Sequence, residues 1–536
     1  MKAIMSLKFS RLGFIFTLSL FLVIGYNLTF FTKVLTVYPL SWENSGFLLS
    51  LALVLTSVIG MLLLLVTNRF TLKPLAILLV IISSFTSYFM QTYHVIIDDT
   101  MIQNTLETNM NESFDLLTFK LVAYVLLLGV LPSWLIYRTP IAYKSIKQEL
   151  LSTFKGVLLY LIFIAVLLFS FSKFYTSFFR ENKPLRYYTN PTFYLYSAGK
   201  YTYNMFYKRE TVLQPLGRDA KSLSLQNGTR KLSIVVVGEA ARANRFSLNG
   251  YERQTNPLLA KEEIVNFTNM FSCGTSTAIS VPCMFSHLER QNYSDKVAKS
   301  TENVLDILHH AGVNVLWRDN NSDSKGVALR VAYEDYRTPK TNTICDEECR
   351  DEGMLVGLQE YIDSQKGDIV IVLHQMGNHG PAYYKRYPKA FEKFTPTCQT
   401  NQVEQCSAEE IGNAYDNVIL YTDYFLSKTI ALLKANDTAF ETALIYMADH
   451  GESLGEKGLY LHGIPYFMAP EDQTHVGALM WIGQKSKQRI AYASLKEKAE
   501  QTYSHDNLFH TLLGLMEIET SVYQKEKNIL LHKGNE

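Results

Sequence analysis

Four short stretches of the chain carry residue types able to hold a cation and activate a hydroxyl. The run VVVG is followed at once by Glu239; DIVIVL is followed by His374 and, five residues on, His379; and ALIYMA is followed by Asp449, His450, Gly451 and Glu452. Carboxylate with imidazole is the donor set of zinc or another borderline divalent ion. His462 stands twelve residues beyond His450 in GESLGEKGLYLHG, within reach of the same place from a loop. The fourth stretch, GTSTAISVP, lies between Cys273 and Cys283 and offers Thr275, Ser276, Thr277 and Ser280. A hydroxyl beside a divalent cation loses its proton more easily, and a strand-to-helix turn presents backbone N–H groups to an anionic phosphoryl group. The sequence leaves the choice among these four hydroxyls open, and each is equally suited to cap a helix.

Such residues act together only if the fold gathers them. Short β-branched runs at 232–237, 313–317, 368–373, 442–447 and 478–482 alternate with longer helix-like stretches, the pattern of a parallel sheet wrapped by helices. Ligands of open α/β sheets bind just beyond the carboxyl ends of the strands. Asp449 beside His450 is by itself an ordinary surface or capping pair, and Glu239 by itself suits a helix start. Three strand ends that all terminate in metal-competent residues point to one metal site.

The first third of the chain belongs in a different solvent. Of 101 charged residues only 19 fall in 1–174, whereas the whole chain is 48% hydrophobic and 19% charged, too apolar for disorder. A net charge of +1 offers no basic field to gather nucleic acid. Apolar stretches at 12–31, 46–66, 74–93, 119–137 and 156–174 are each long enough to cross about 30 Å of hydrocarbon. Lys2, Lys8 and Arg11, then Arg69 and Lys73, then Arg138, Lys144, Lys147 and Lys155 mark the cytoplasmic flanks. The 94–118 loop has no Lys or Arg and carries Asp98, Asp99, Glu107, Glu112 and Asp115. The amino terminus is therefore expected inside, the first span a retained anchor, and everything after Phe174 outside. Twelve Tyr or Phe in residues 175–207 suit the lipid headgroup layer, and the polar 208–230 stretch reads as a linker. The expected organisation is 1–174 membrane domain, 175–230 juxtamembrane segment and linker, and 231–536 catalytic domain.

Six cysteines, all beyond the spans, fall into the short-range pairs Cys273 and Cys283, Cys345 and Cys349, and Cys398 and Cys406. In an oxidising space these are expected as local disulfides. A Cys-based zinc site is the rival, disfavoured because no His or second Cys pair has suitable spacing.

The segments VVVGEAARANRFSLNGY, SCGTSTAISVPCMFS, WRDNNSDSKGV, HQMGNHGPAYYKRYP and MADHGESLGEKGLYLHG closely resemble those of the lipid A phosphoethanolamine transferases, including the polymyxin (colistin) resistance type. The resemblance implies an α-helical membrane domain of five spans plus an α/β alkaline-phosphatase-like (sulfatase-type) periplasmic domain. It implies a bacterial inner-membrane enzyme, acting as a monomer, that moves phosphoethanolamine from phosphatidylethanolamine to a lipid A phosphate. Glu239, Thr277, Asp449 and His450 would hold one tight zinc ion, with Thr277 the nucleophile. His379 and His462 would serve the phosphate or a second zinc, with His374 nearby. Headgroup contacts would come from Asn104, Thr108, Glu112, Ser322 and Lys325. A sulfatase-type Cys-x-Pro-x-Arg is missing, which disfavours that branch. The nearest alternative is a phosphoethanolamine or glycerol-phosphate transferase acting on another glycan or lipid acceptor; more distant ones are a plain phosphodiesterase and a non-catalytic zinc-stabilised scaffold.

Overall fold

The structure, a computed structural model, describes residues 8–107, 116–206, 212–224 and 230–530. Residues 8–102 with 117–206 form one compact unit, and the remaining described residues form a second.

The first unit is helical. Helices α3 (Trp42–Val66), α4 (Leu72–Thr92), α5 (Phe119–Arg138) and α6 (Ile146–Ser170) are each long and apolar enough to cross a membrane. The expectation of a straight first span over 12–31 needs correction: α1 (Arg11–Tyr26) and α2 (Leu28–Val37) meet at an angle of 66° and make a fifth span only as a bent pair. The break has a cause. Asn27 is fully buried and turns its amide to Asn190, accepting from the Asn190 N–H at 2.7 Å and donating to its carbonyl at 2.6 Å, while also donating to Leu22 O at 3.0 Å. A polar side chain in an apolar bundle is tolerated when every hydrogen-bonding atom is matched. Phe14, Leu18 and Leu22 of α1 pack with Leu63 of α3, Ala76 and Leu79 of α4, and Tyr194. By contrast α6 leaves Leu150, Leu159, Ile162 and Val166 on its outer surface, a face suited to acyl chains rather than water. The aromatic segment is two-faced. Tyr175, Phe178, Tyr188 and Tyr194 are buried in this unit, whereas Phe179, Tyr196, Tyr203 and Phe206 remain exposed.

The second unit is an α/β sandwich around an eight-stranded sheet. Its strands are β1 (Lys231–Gly238), β2 (Ile264–Phe271), β3 (Asn314–Asp319), β4 (Ala332–Asp335), β5 (Ile369–His374), β6 (Glu441–Ala448), β7 (His475–Ile482) and β8 (Thr502–Ser504), in spatial order β8-β2-β7-β6-β1-β5-β3-β4. Every residue of β1, β5 and β6 is buried, as central parallel strands covered on both faces must be, which explains their unbroken aliphatic runs. The expectation of a parallel sheet holds with one exception: β7 runs antiparallel to both β6 and β2. An apolar strand reads alike in either direction, so its orientation is set by connectivity and not by composition. Helices α7 (Thr277–Phe285) and α8 (Ala408–Asn436) carry, respectively, the serine/threonine segment and much of the packing on the sheet. The three local cysteine pairs are disulfides, with Cα atoms 6.2, 4.0 and 5.7 Å apart.

Strand register brings the polar strand ends together. Val237 pairs with His374, Asp319 pairs with His374, and Gly238 pairs with Ala448. The next residues of these strands therefore emerge side by side.

Replacement of Asn27 by Ala is predicted to lower the stability of the helical unit by about 1–3 kcal/mol, because it leaves buried Asn190 backbone groups without partners. Thermal unfolding of the full chain in detergent checks this, and an unchanged transition would contradict it.

Candidate active site

Each polar group at the carboxyl end of the sheet has one atom held by the protein and a second left facing its neighbours. Asp449 Oδ1 accepts from the N–H groups of Ala240, at 3.1 Å, and His450, at 2.7 Å. To reach it, Ala240 adopts a left-handed backbone with φ of 51°, local strain of the kind retained at functional sites. Glu239 Oε2 accepts from Asn321 Nδ2 at 2.8 Å and Thr277 Oγ1 at 3.1 Å. His450 Nδ1 donates to Gly451 O at 2.8 Å, which turns Nε2 toward Glu239 and Asp449. The remaining atoms, Glu239 Oε1 and Asp449 Oδ2, are buried and accept no hydrogen bond, although His450 Nε2 stands 3.2 and 3.5 Å away.

The spacing fits a small tetrahedral cation. Ligand atoms 2.0–2.1 Å from zinc at tetrahedral angles stand about 3.3 Å from one another. Alongside those 3.2 and 3.5 Å separations, Thr277 Oγ1 lies 3.4 Å from His450 Nε2. Among the described residues Glu239, Asp449 and His450 form one compact set of candidate donors, and His450, Glu452 and His462 form another. In the third set, Cys273, Cys283 and Asp506, both cysteines are spent in a disulfide.

Electrostatics point the same way. Burial would lower the His450 pKa, but the carboxylates of Asp449 and Glu239 outweigh it and push it up to about 10. Burial, reinforced by Glu239, pushes Asp449 up to about 6. Glu239 goes the other way: burial would raise it, yet the imidazoles of His450, His379 and His462 hold it well below the carboxylate range. Two carboxylates crowded into one dry site have a deficit of positive charge, which a divalent ion meets.

The four hydroxyls are now distinguishable. Thr275 Oγ1 donates to Ile464 O at 2.7 Å, and Ser280 Oγ accepts from the Gly274 N–H at 2.9 Å, so both are structural. Ser276 occupies the N-cap position but makes no capping bond, and its buried oxygen has no partner. Thr277, at the first turn of α7, alone of the four has its hydroxyl bonded to Glu239 and His450.

Of the other expected residues, His462 adjoins His450 and His379 adjoins His462. His462 Nδ1 donates to Glu452 Oε2 at 2.8 Å, and its ring lies 4.3 Å from that of His450 and 5.9 Å from that of His379, centroid to centroid. His374 Nδ1 donates to Asp319 Oδ2 at 2.9 Å, while its buried Nε2 has no partner. Ser322 and Lys325 are buried in the loop after β3, where Lys325 Nζ donates to Ser322 O at 3.1 Å. Asn104 lies on the short helix Asp99–Glu107; Thr108 and Glu112 lie outside the described residues.

Sequence reasoning passed over Asn321 and His505, and it named Glu452 without giving it a role. Asn321, two residues past β3, donates to Glu239, and the strand-end rule that found Glu239 would also have pointed to it. Glu452 is fully buried between His462 and Tyr383, whose hydroxyl donates to it at 2.7 Å. His505 accepts from Cys273 N–H at 3.1 Å and donates to Ala448 O at 3.0 Å, tying the α7 loop to the end of β6. Nothing near His505 in sequence signals that role.

Comparisons with known proteins can be set on this geometry. Residues 231–518 match the sulfatase family, and residues 55–206 match the family described as phosphoethanolamine transferase EptA/EptB. The chain is 43% identical to phosphatidylethanolamine transferase Mcr-2 of Escherichia coli over 93% of its own length and 94% of that protein. It is 41% identical to phosphoethanolamine transferase EptA of E. coli K12, covering 97% and 96%. The chain belongs to the phosphoethanolamine transferase family. The solved integral membrane phosphoethanolamine transferase EptA of Neisseria meningitidis superposes with a TM-score of 0.93 at 36% identity, covering 98% of this chain and 99% of that one. Both units thus share the transferase fold.

His505 makes a test. Burial, with His450 nearby, lowers its pKa to about 4. A depressed folded pKa means that the unfolded chain takes up the proton first, so this stabilisation is complete above pH 6.5 and is lost as pH falls toward 4. Across that window the loss is predicted to reach about 3 kcal/mol. Unfolding of wild type and His505→Gln at pH 7 and pH 4.5 checks it; equal slopes would contradict it.

Proposed function

We propose that this phosphoethanolamine transferase moves phosphoethanolamine from phosphatidylethanolamine to a lipid A phosphate through a phosphothreonine intermediate on Thr277. The observation that carries the reading is the Thr277 hydroxyl, buried, 3.1 Å from Glu239 and 3.4 Å from His450, at the amino end of α7. Glu239, Asp449, His450 and Thr277 would hold the zinc ion, which when bound supplies positive charge favouring the Thr277 alkoxide.

In the first half-reaction Thr277 Oγ1 forms a bond to the donor phosphorus, and the bond from phosphorus to the diacylglycerol oxygen breaks. The hydroxyl proton leaves along the hydrogen bond to Glu239 Oε2. His462, its Nδ1 fixed by Glu452, turns Nε2 to protonate the departing oxygen. His379 and Lys325 offset charge on the phosphoryl oxygens, and the first-turn N–H groups of α7 add to that field. In the second half-reaction an oxygen of a lipid A phosphate attacks the same phosphorus and its proton passes to His462 Nε2, the Thr277 oxygen leaves and recovers the proton taken by Glu239, and the site returns to its starting state. The α7 loop is braced for this by the Cys273–Cys283 disulfide and by His505.

Both substrates are lipids, which accounts for a catalytic unit joined to apolar helices. One relative is named for phosphatidylethanolamine and another for lipooligosaccharide, which supports the same donor and acceptor classes here. The reading places the chain in the bacterial inner membrane with the catalytic unit in the periplasm, acting as a monomer. Covering an anionic phosphate with a zwitterion weakens the attraction of cationic peptides such as polymyxins.

Incubation with phosphatidylethanolamine is predicted to add one phosphoethanolamine to the intact protein, localised to the peptide containing Thr277. Thr277→Ala should give no adduct and lose more than roughly a thousandfold of transfer, whereas Thr277→Ser should retain the adduct. An adduct on another residue, or unimpaired transfer by Thr277→Ala, would overturn the mechanism.

A further inference from the structure

We propose that a cleft beside the Thr277 loop binds the sugar portion of an anionic glycolipid acceptor, an assignment that rests on the transferase reading above. The cleft, of about 300 Å³, is walled by the carboxyl ends of β2 and β8 together with Arg290, Tyr466 and Asp506. That size lies at the lower end for ligand clefts and suits a short saccharide rather than acyl chains. β2 and β8 run parallel to each other and share the direction of β1, so the cleft opens on the same edge of the sheet as Glu239 and Asp449.

The cleft and the reactive centre share a set of bonds. Ser272, in the cleft wall, lies five residues before Thr277, and Tyr466 lies four residues after His462. These two loops are joined by Tyr466 Oη donating to Ser272 O at 2.9 Å, Thr275 Oγ1 donating to Ile464 O at 2.7 Å and Gly463 N–H donating to Thr275 O at 2.8 Å. His505, between wall residues Ser504 and Asp506, bridges Cys273 and Ala448. A molecule seated in the cleft would therefore rest against the loops that carry Thr277 and His462.

The lining selects the ligand. Tyr466 and Tyr503 present half-buried rings, which suit the C–H faces of a pyranose, and the side chains of Gln291, Thr502 and Asp506 offer partners for hydroxyls. The exposed Arg290 guanidinium lies 4.3 Å from the Tyr466 ring centroid, and no carboxylate among the described residues pairs with it. It favours an anionic substituent, while Asp506, whose Oδ1 accepts from the Arg290 backbone N–H at 2.9 Å, is left to hydroxyl groups. Rings, hydroxyl partners and a guanidinium together fit a phosphorylated sugar, which assigns the cleft to the acceptor.

The two half-reactions separate the possibilities. Full-length protein in phosphatidylethanolamine nanodiscs is allowed to form its adduct, and discharge to added diphosphoryl lipid A micelles is followed by intact mass. Arg290→Ala and Thr502→Trp, both at exposed positions, should form the adduct and lose it to water at wild-type rates. The lipid A concentration for half-maximal discharge should rise at least fivefold in each. Wild-type concentration dependence in both variants would overturn the cleft assignment while leaving the transferase reading intact. Loss of adduct formation in both variants would also overturn it, by placing the cleft on the donor side. Absence of an adduct in the wild type would sink the covalent reading, and the acceptor cleft with it.

Discussion

Everything at the reactive centre depends on a division of labour within each side chain: one atom is satisfied by the protein, and the other is held bare. Two N–H groups on Asp449 Oδ1, an amide and a hydroxyl on Glu239 Oε2, and a carbonyl on His450 Nδ1 leave Oδ2 and Oε1 without hydrogen bonds, close to His450 Nε2, which has only the Thr277 hydroxyl at 3.4 Å. Buried carboxylate oxygens without donors are costly, by about 1–3 kcal/mol each or more. Positive charge among them would offset that cost, and in the proposed mechanism the same charge makes the neighbouring threonine reactive.

The sheet supplies the precision. Gly238 opposite Ala448 and Val237 opposite His374 fix where the next residues emerge, and strands buried on both faces cannot slip without exposing or crowding an entire aliphatic row. The loop carrying Thr277 is less constrained by register. It is held instead by the Cys273–Cys283 disulfide, by His505 and by Thr275. In the proposed mechanism rigid strand ends thus provide the cation donors, and a braced loop provides the hydroxyl. A further loop, bound to the second through Thr275 and Gly463, carries His462.

The sequence makes legible whatever depends on local pattern. Aliphatic runs ending in Glu239, His374 and Asp449 announce both the strands and the cluster, because a central parallel strand must be apolar throughout and its first polar residue falls at the ligand edge. Cysteines four to ten residues apart pair locally, as their spacing suggests. What escapes is set by partners remote in the chain. The bend at Asn27 depends on Asn190, 163 residues away. The reversed direction of β7 leaves no mark on an apolar strand. Thr277 is singled out only when Thr275 and Ser280 are seen committed to Ile464 and Gly274, and His505 acquires meaning only from the two segments it joins.

The central claim, that the bare atoms of Glu239, Asp449, His450 and Thr277 surround a cation, is tested most directly by metal analysis of the purified full-length protein combined with X-ray absorption at the metal edge. The account predicts at least one tightly held zinc ion with oxygen and nitrogen neighbours about 2.0 Å away, lost when Glu239 and Asp449 are replaced by Gln and Asn. Metal-free active protein, or zinc retained at full occupancy in that double variant, would contradict it.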